Sequence, residues 1–443
     1  MKNIFLIAVG FCFILSCSKS EDPVAVIQPD PTDQSLINAP YSSLSPENQK
    51  LKLESEAKNT ITELETLQTS SAVAAMLNLD RLLKISSIDI LNGKADNGVQ
   101  EIINLADAYG IYTWNNTLQA WVKTSSTGNL TFKFPSKKTG VLNNAEFSTT
   151  ATASTVSVEI VDTPVRYQYQ YNPQTGTYTY VLISQEVLDN LKLPLTVNGT
   201  IKIDNTPSGT VTQTNTFGTA EVPLTSKFNL TTNDGYVFDF NTNKQTNPAV
   251  SDNKITFNGK NIYSLSIDTT SKIDELLNGS ELYSDYGKAN MMYTLLNNFV
   301  ILGLVDTTNF ANQQQIDENS LTYPNYNTSA YYTNLNIYRK KLSELKATAQ
   351  NTHIKLALVS KTDKTKIADI VVKSELDGYY FNSVIWQNNN WTYSNNTTGQ
   401  RVERYKEVYY LKFNDNTQVA ANVYFSTGFD TLNTKFDEFI NGF

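Results

Sequence analysis

Asn198-Gly199 and Asn258-Gly259 each stand between short runs in which β-branched and aromatic residues alternate with polar ones. Leu195-Thr196-Val197 and Thr200-Ile201-Lys202-Ile203 flank the first pair; Ile255-Thr256-Phe257 and Ile262 to Ile267 flank the second. A two-residue type I′ turn needs positive φ at both central positions, which Asn and Gly reach at least cost, so each pair predicts a β-hairpin. Asp234-Gly235 marks a third. Hairpins join antiparallel neighbours, and from Gly110 onward turn residues recur about every ten positions. The pattern argues for a mainly antiparallel sheet and against a doubly wound parallel one.

Helical spacing frames that sheet. Ser45-Pro46-Glu47 reads as a helix start: a hydroxyl cap, a proline at the first helical position and an acid in the first turn. Leu53, Ala57, Ile61, Leu64 and Leu67 continue it, with further helices expected over Ala72 to Leu83 and over roughly Gly98 to Ala108. Ile273 to Leu304 returns to a broad apolar helical face through Met291, Met292, Leu295, Leu296, Phe299 and Val300. A polar loop is expected from Asn309 to Asn327, then an amphipathic helix from about Ser329 to Ala349. Strand pairs close the chain around Thr362-Asp363-Lys364 (Ile354 to Ser360, Lys366 to Lys373) and Asn414-Asp415-Asn416 (Glu407 to Phe413, Gln418 to Phe425). Phe429, Leu432, Phe436 and Phe439 then space a last helix. The predicted class is α+β: a large, mainly antiparallel twisted sheet with helices at the N-terminus, middle and C-terminus. The expected parts are a helical stretch 45–108, a β part 109–270, a helical segment 271–352 and hairpins plus helix over 353–443, together one body.

The first residues set the compartment. Met1-Lys2-Asn3 precedes an apolar run from Ile4 to Leu15, too short for the roughly 20 residues that cross a bilayer and suited to a signal peptide. Ile14-Leu15-Ser16-Cys17 resembles the lipobox of bacterial lipoproteins. That resemblance implies removal of residues 1–16 and acylation of Cys17, the membrane partner being engaged through acyl chains. Cys12 would leave with the signal, so the 427-residue mature chain would hold a single, acylated Cys and no disulfide. Residues 17–44, rich in Pro, Asp, Gln and Ser, are expected to form a flexible tether. Lys19-Ser20-Glu21-Asp22 resembles the acidic export tag of Bacteroidota surface lipoproteins, which implies an outer-membrane, cell-surface location.

Further along, Trp114 to Trp121 with Leu130-Thr131-Phe132-Lys133-Phe134-Pro135, Leu193 to Gly199, Phe413 to Asn416 and Tyr424 to Asp430 resemble uncharacterised Bacteroidota outer-membrane lipoproteins. The resemblance implies an envelope location and an α+β body, and no activity. Asp268-Thr269-Thr270, Asp306-Thr307-Thr308 and Asp430-Thr431-Leu432 resemble the O-glycosylation sequon of the same phylum's envelope proteins, which makes Thr269, Thr307 and Thr431 candidate modification sites.

Composition removes much other chemistry. With 35 Lys+Arg against 43 Asp+Glu the net charge is −8, opposite to a nucleic-acid footprint. His353 is the sole histidine, so a two-histidine hydrolytic zinc site cannot form; its place suits a helix end. No Gly-x-Ser-x-Gly elbow, P-loop or Gly-x-Gly-x-x-Gly is present. Asp239-Phe240-Asn241-Thr242-Asn243 opens like a calcium loop, but Lys244 stands where Gly is needed; a polar turn after a strand is the plainer account. No catalytic residue, metal ligand or cofactor is assigned.

Aromatic residues carry the binding hypothesis. Trp386 and Trp391 flank a four-residue turn, and Trp114 and Trp121 flank Asn115-Asn116-Thr117. Indole faces among Asn amides suit a sugar platform; the plainer account is a cross-strand pair that steadies a hairpin. If Pro173 to Gly176 is a four-residue loop, Asn172 faces Thr177, Tyr171 opposes Tyr178, Tyr169 opposes Tyr180 and Tyr167 opposes Leu182. One face then becomes a tyrosine ladder, while Arg166, Gln168 and Gln170 point to the other. Either a helix covers that ladder or it binds a ligand. The expected function is a lipid-anchored envelope protein, binding or structural, with an extracellular glycan as leading ligand. The alternatives are a glycoside hydrolase built on two carboxylates about 5–10 Å apart and a lipid carrier with a concave apolar sheet.

Overall fold

A computed structural model describes residues 35–88, 99–125, 128–218, 221–280, 282–295, 298–395, 399–426 and 429. Cys17, most of the expected tether, Thr431 and the expected closing helix lie outside these residues. The first helices are α1 (Pro46–Gln68) and α2 (Ser71–Ile85). The Ser70 side chain caps α2 by accepting from the Val73 amide at 3.3 Å, which satisfies one of the orphan donors of its first turn.

Strands follow: β1 (Ile102–Ile103), β2 (Gly110–Asn115), β3 (Ala120–Ser125), β4 (Leu130–Phe134), β5 (Ala145–Thr163), β6 (Arg166–Asn172), β7 (Thr177–Ser184) and β8 (Val187–Ile203). Next come β9 (Thr206–Thr216), β10 (Thr225–Thr232), β11 (Tyr236–Asn243), β12 (Ala249–Phe257) and β13 (Lys260–Thr269). A short helix, α3 (Ile273–Leu277), leads to β14 (Lys288–Leu295) and β15 (Phe299–Asp306). Two helices, α4 (Thr307–Ser320) and α5 (Tyr331–His353), precede β16 (Ile354–Ser360) and β17 (Thr365–Asn382). The last described elements are β18 (Val384–Gln387), β19 (Asn390–Tyr393), β20 (Gln400–Lys412), β21 (Gln418–Ala420) and the single turn α6 (Ala421–Tyr424).

Among the described residues, 17 strands form one sheet. Its pairings run β3-β2-β4-β5-β8, then through β9 to β17 in sequence order, then β20 and β21. Among the described strands, only β2–β4 and β1–β8 pair in parallel. The fold is α+β with an antiparallel-dominated sheet.

One face of this sheet is apolar along its length. Phe132, Phe147 and Ile201 are cross-strand partners, and they pack with Met76, Leu79 and Leu82 of α2. Farther along, Tyr236, Ile262, Phe299, Leu358 and Leu411 bury Leu53 and Ala57 of α1. The same face then receives α5: Ser343 donates to Glu407 at 3.0 Å, and Asn351 bonds both backbone groups of Val372. Elsewhere the opposite face is itself covered. Ile37, in the 3₁₀ turn Leu36–Asn38, packs on Val300, Leu302, Ala357 and Val359, and the Tyr41 hydroxyl donates to Asp369. Residues 35–44, expected to belong to the tether, are therefore docked on the sheet.

Several expectations are corrected. Asn198-Gly199 lies inside β8, and the turn falls at Asp204-Asn205, with φ of 51° and 63°. Gly199 makes room for an aromatic ring: a Cβ there would come within 2.7 Å of Phe147. The helix expected over 273–304 is only α3, followed by β14 and β15. Phe299 packs on one face of the sheet and Val300 and Leu302 on the other, and a strand buried on both faces loses the alternation that identifies it. The polar loop expected from Asn309 is α4, capped where Asp306 accepts from the Asn309 amide at 3.1 Å. Where a helix is expected over Gly98 to Ala108, the described residues 99–108 hold β1 and a 3₁₀ turn, Leu105–Ala108. The strand expected over Gln418 to Phe425 stops at Ala420 and turns into α6. The calcium-like stretch Asp239 to Asn243 is part of strand β11.

Candidate functional site

β5 and β8 are 19 and 17 residues long, and the chain between them forms a separate two-stranded sheet, β6–β7. The loop Pro173 to Gly176 closes it. Gly176 takes φ +67° and its amide donates to the Asn172 carbonyl at 2.9 Å. The register pairs Asn172 with Thr177, Tyr171 with Tyr178, Tyr169 with Tyr180 and Tyr167 with Leu182, as the spacing predicts. Five tyrosines thus share one face. Their ring centroids lie 4.0 Å apart for Tyr169–Tyr180, 5.0 Å for Tyr171–Tyr178 and 6.2 Å for Tyr167–Tyr180.

No described helix covers this face; each of the five tyrosines keeps 55–65 % of its surface exposed. The other face carries Arg166, Gln168, Gln170, Thr177, Thr179 and Val181. A hydrogen bond with Tyr169 holds the Tyr180 phenol above its ordinary pKa. An isolated hairpin in water is marginal, and exposed aromatic surface of this extent marks an interaction site. Chemically, the ladder offers ring faces for C–H stacking and phenol hydroxyls for hydrogen bonds.

The tryptophan pairs are placed differently. Trp114 opposes Trp121 across β2–β3, with centroids 5.2 Å apart. Trp114 is 2 % exposed and belongs to the core beneath α2. The neighbouring amides are already engaged: Asn116 accepts from the Trp114 indole at 3.1 Å and donates to the Val141 carbonyl, and Asn143 donates to the Trp114 carbonyl. Trp386 and Trp391 oppose each other across β18–β19, also at 5.2 Å. The Trp391 indole donates to the Tyr326 carbonyl at 2.9 Å and its ring packs edge-on against Tyr332 of α5. Both pairs are cross-strand neighbours.

Thr269 and Thr307 lie close to one turn. Thr307 donates to the Tyr286 and Gly287 carbonyls at 2.8 and 2.7 Å, and Thr269 to the Lys288 carbonyl at 3.0 Å. Attachment of a sugar at either hydroxyl would replace these bonds.

Carboxylates gather on the sheet face away from α1 and α2. Asp252 opposes Asn241 and Ser266, and Asp268 opposes Asn290. Asp239 and Asp268 are therefore diagonal neighbours of Asp252 on adjacent strands, at about 7 Å. Burial raises the Asp252 and Asp268 carboxyls above their usual pKa, with Asp239 and Asp268 adding repulsion at Asp252; hydrogen bonds from Ser266 and Asn290 oppose the shift. Among the described residues, no three His, Cys, Asp or Glu side chains are grouped so as to hold a metal ion. Sequence reasoning could not select this trio, because the strand register that aligns it depends on two successive hairpins. Nor did it find the exposed pair Tyr379 and Phe381 near the end of β17, where Arg401 stacks on Tyr379 at 4.3 Å. Comparison of the chain with protein-family models, with curated proteins and with solved structures finds no match.

Proposed function

We propose that this chain is a lipid-anchored cell-envelope protein, held at the outer membrane by acyl chains on Cys17, whose β6–β7 hairpin binds an extracellular glycan. The single observation that supports the binding reading is the uncovered ladder of Tyr167, Tyr169, Tyr171, Tyr178 and Tyr180. Tyrosine combines a rigid apolar ring with a polar tip and loses little side-chain entropy on contact, which suits a ladder to a sugar chain. The anchor reading rests on Cys17 and its preceding residues. Along β17, the docked N-terminal segment meets Lys366 at one end, and Tyr379 and Phe381 lie about 40 Å away near the other. One end of that strand can thus sit near a membrane while aromatic surface stands clear of it.

Glycan-array binding by the full mature chain tests the ligand assignment: binding lost in a Tyr169→Ser, Tyr180→Ser variant supports it, and binding unchanged in that variant refutes it. Metabolic palmitate labelling that disappears in Cys17→Ala supports the anchor; labelling that persists refutes it. A second reading, a carboxylate hydrolase, draws on the raised carboxyls of Asp252 and Asp268, since a catalytic acid must remain protonated near its working pH. Turnover of a polysaccharide that Asp252→Asn abolishes would favour it over the binding reading. The lipid-carrier alternative would need an enclosed apolar cavity on the sheet face on which α1 and α2 pack.

A further inference from the structure

Resting on that reading of the tyrosine hairpin, we infer that its ligand is a neutral, soluble, single-chain polysaccharide, and neither an acidic polymer nor a crystalline glycan surface. Charge carries the first half. From Pro164 to Gln185 only Arg166 is charged, whereas charged residues make up 18 % of the whole chain. Arg166 also stands on the face opposite the tyrosines. An acidic polysaccharide would need cations beside its carboxylates, and the tyrosine face offers none; a protein of net charge −8 repels it at longer range as well. Binding here comes from ring stacking and neutral hydrogen bonds, which salt does not screen.

Ring geometry carries the second half. The interplanar angles are 49° for Tyr171–Tyr178, 58° for Tyr169–Tyr180, 63° for Tyr169–Tyr178 and 86° for Tyr167–Tyr180. Rings tilted this way cannot share a plane, so a flat crystalline face could lie flat on at most one ring of each pair. A single flexible chain can follow the corrugation. Successive rungs are two residues apart, about 6.7 Å, so three rungs offer a track of about 13 Å. The interfacial zone of a bilayer also favours tyrosine, but the tip that would enter it is Pro173-Gln174-Thr175-Gly176, which is polar.

The test is affinity electrophoresis of the full mature chain through gels containing hydroxyethylcellulose, galactomannan or polygalacturonate, at low and high salt. Pull-down on microcrystalline cellulose and flotation of the unacylated Cys17→Ala chain with phosphatidylcholine vesicles accompany it. The expected result is retardation by a neutral soluble polymer that salt leaves unchanged. It falls about tenfold in the Tyr169→Ser, Tyr180→Ser variant, equivalent to about 1.4 kcal/mol, and is unaltered in Arg166→Gln. The double variant must keep the wild-type melting profile, which the exposed position of the hairpin permits. Tyrosine-dependent binding to polygalacturonate or to microcrystalline cellulose alone overturns this inference while leaving a glycan function standing. Flotation of the unacylated Cys17→Ala chain with vesicles that the Tyr169→Ser, Tyr180→Ser variant loses, or retention by no glycan, overturns both.

Discussion

Tyr169 and Tyr180 face each other across β6–β7 with ring centroids 4.0 Å apart, yet both remain more than half exposed. Their contact belongs to a hairpin that is not part of the main sheet. Replacing both with Ala should therefore cost about 1 kcal/mol or less, the scale of one cross-strand pair. Urea denaturation should show a midpoint close to wild type, and a large fall would place the hairpin inside the cooperative core.

Trp114 should behave in the opposite way. Its ring is buried among Phe132, Phe134 and α2, so Trp114→Ala should lose about 3–5 kcal/mol. Trp391→Ala should lose less but loosen α5, because it removes the hydrogen bond to Tyr326 and the contact with Tyr332. Denaturation curves measure the first effect, and amide hydrogen exchange along 331–353 reports the second. Neither change should reduce glycan retention beyond what unfolding explains.

Gly199→Ala should destabilise by about 1–3 kcal/mol through overpacking, since the added Cβ meets the Phe147 ring. Phe147→Leu in the same chain should recover part of the loss. Additive losses in thermal melts would remove this explanation of why a strong turn dipeptide lies inside a strand.

Asp252→Asn should stabilise the protein at neutral pH and have little effect in acid. A carboxyl with a raised folded pKa binds its proton more tightly folded than unfolded. Its penalty is absent below the ordinary value of 3.8 and grows as pH rises through the folded pKa. The difference in melting temperature between variant and wild type should widen from acid towards neutral pH. A constant difference would mean that the charge is not responsible.

The link between Tyr41 and Asp369, 328 positions apart, predicts that residues 35–44 resist limited proteolysis. Tyr41→Phe should cost about 1 kcal/mol, the net value of one hydrogen bond, and should expose 35–44 to cleavage. Cleavage of the wild type within 35–44 at the rate of a free peptide would contradict the docked segment.

Local signals sufficed where one short stretch decides the outcome. Ser45-Pro46-Glu47 starts α1 because capping and the proline φ act within one turn. Asn258-Gly259 turns because both residues sit at positive φ, 47° and 80°. The tyrosine register follows from the loop length alone, since side chains in a strand alternate with period two. The α+β class followed from the change in period near Gly110. Long-range packing decided the rest. Only the fold shows that Phe147 needs the space at Gly199, that β14 and β15 are strands within a sheet packed on both sides, and that α5 gives polar α4 a partner through Lys346 and Glu318 at 3.6 Å. Whether the ladder is covered also depends on elements distant in sequence, because burial is set by what packs from outside a segment. Local periodicity determines which face a side chain takes, and the tertiary structure determines whether that face meets protein or water.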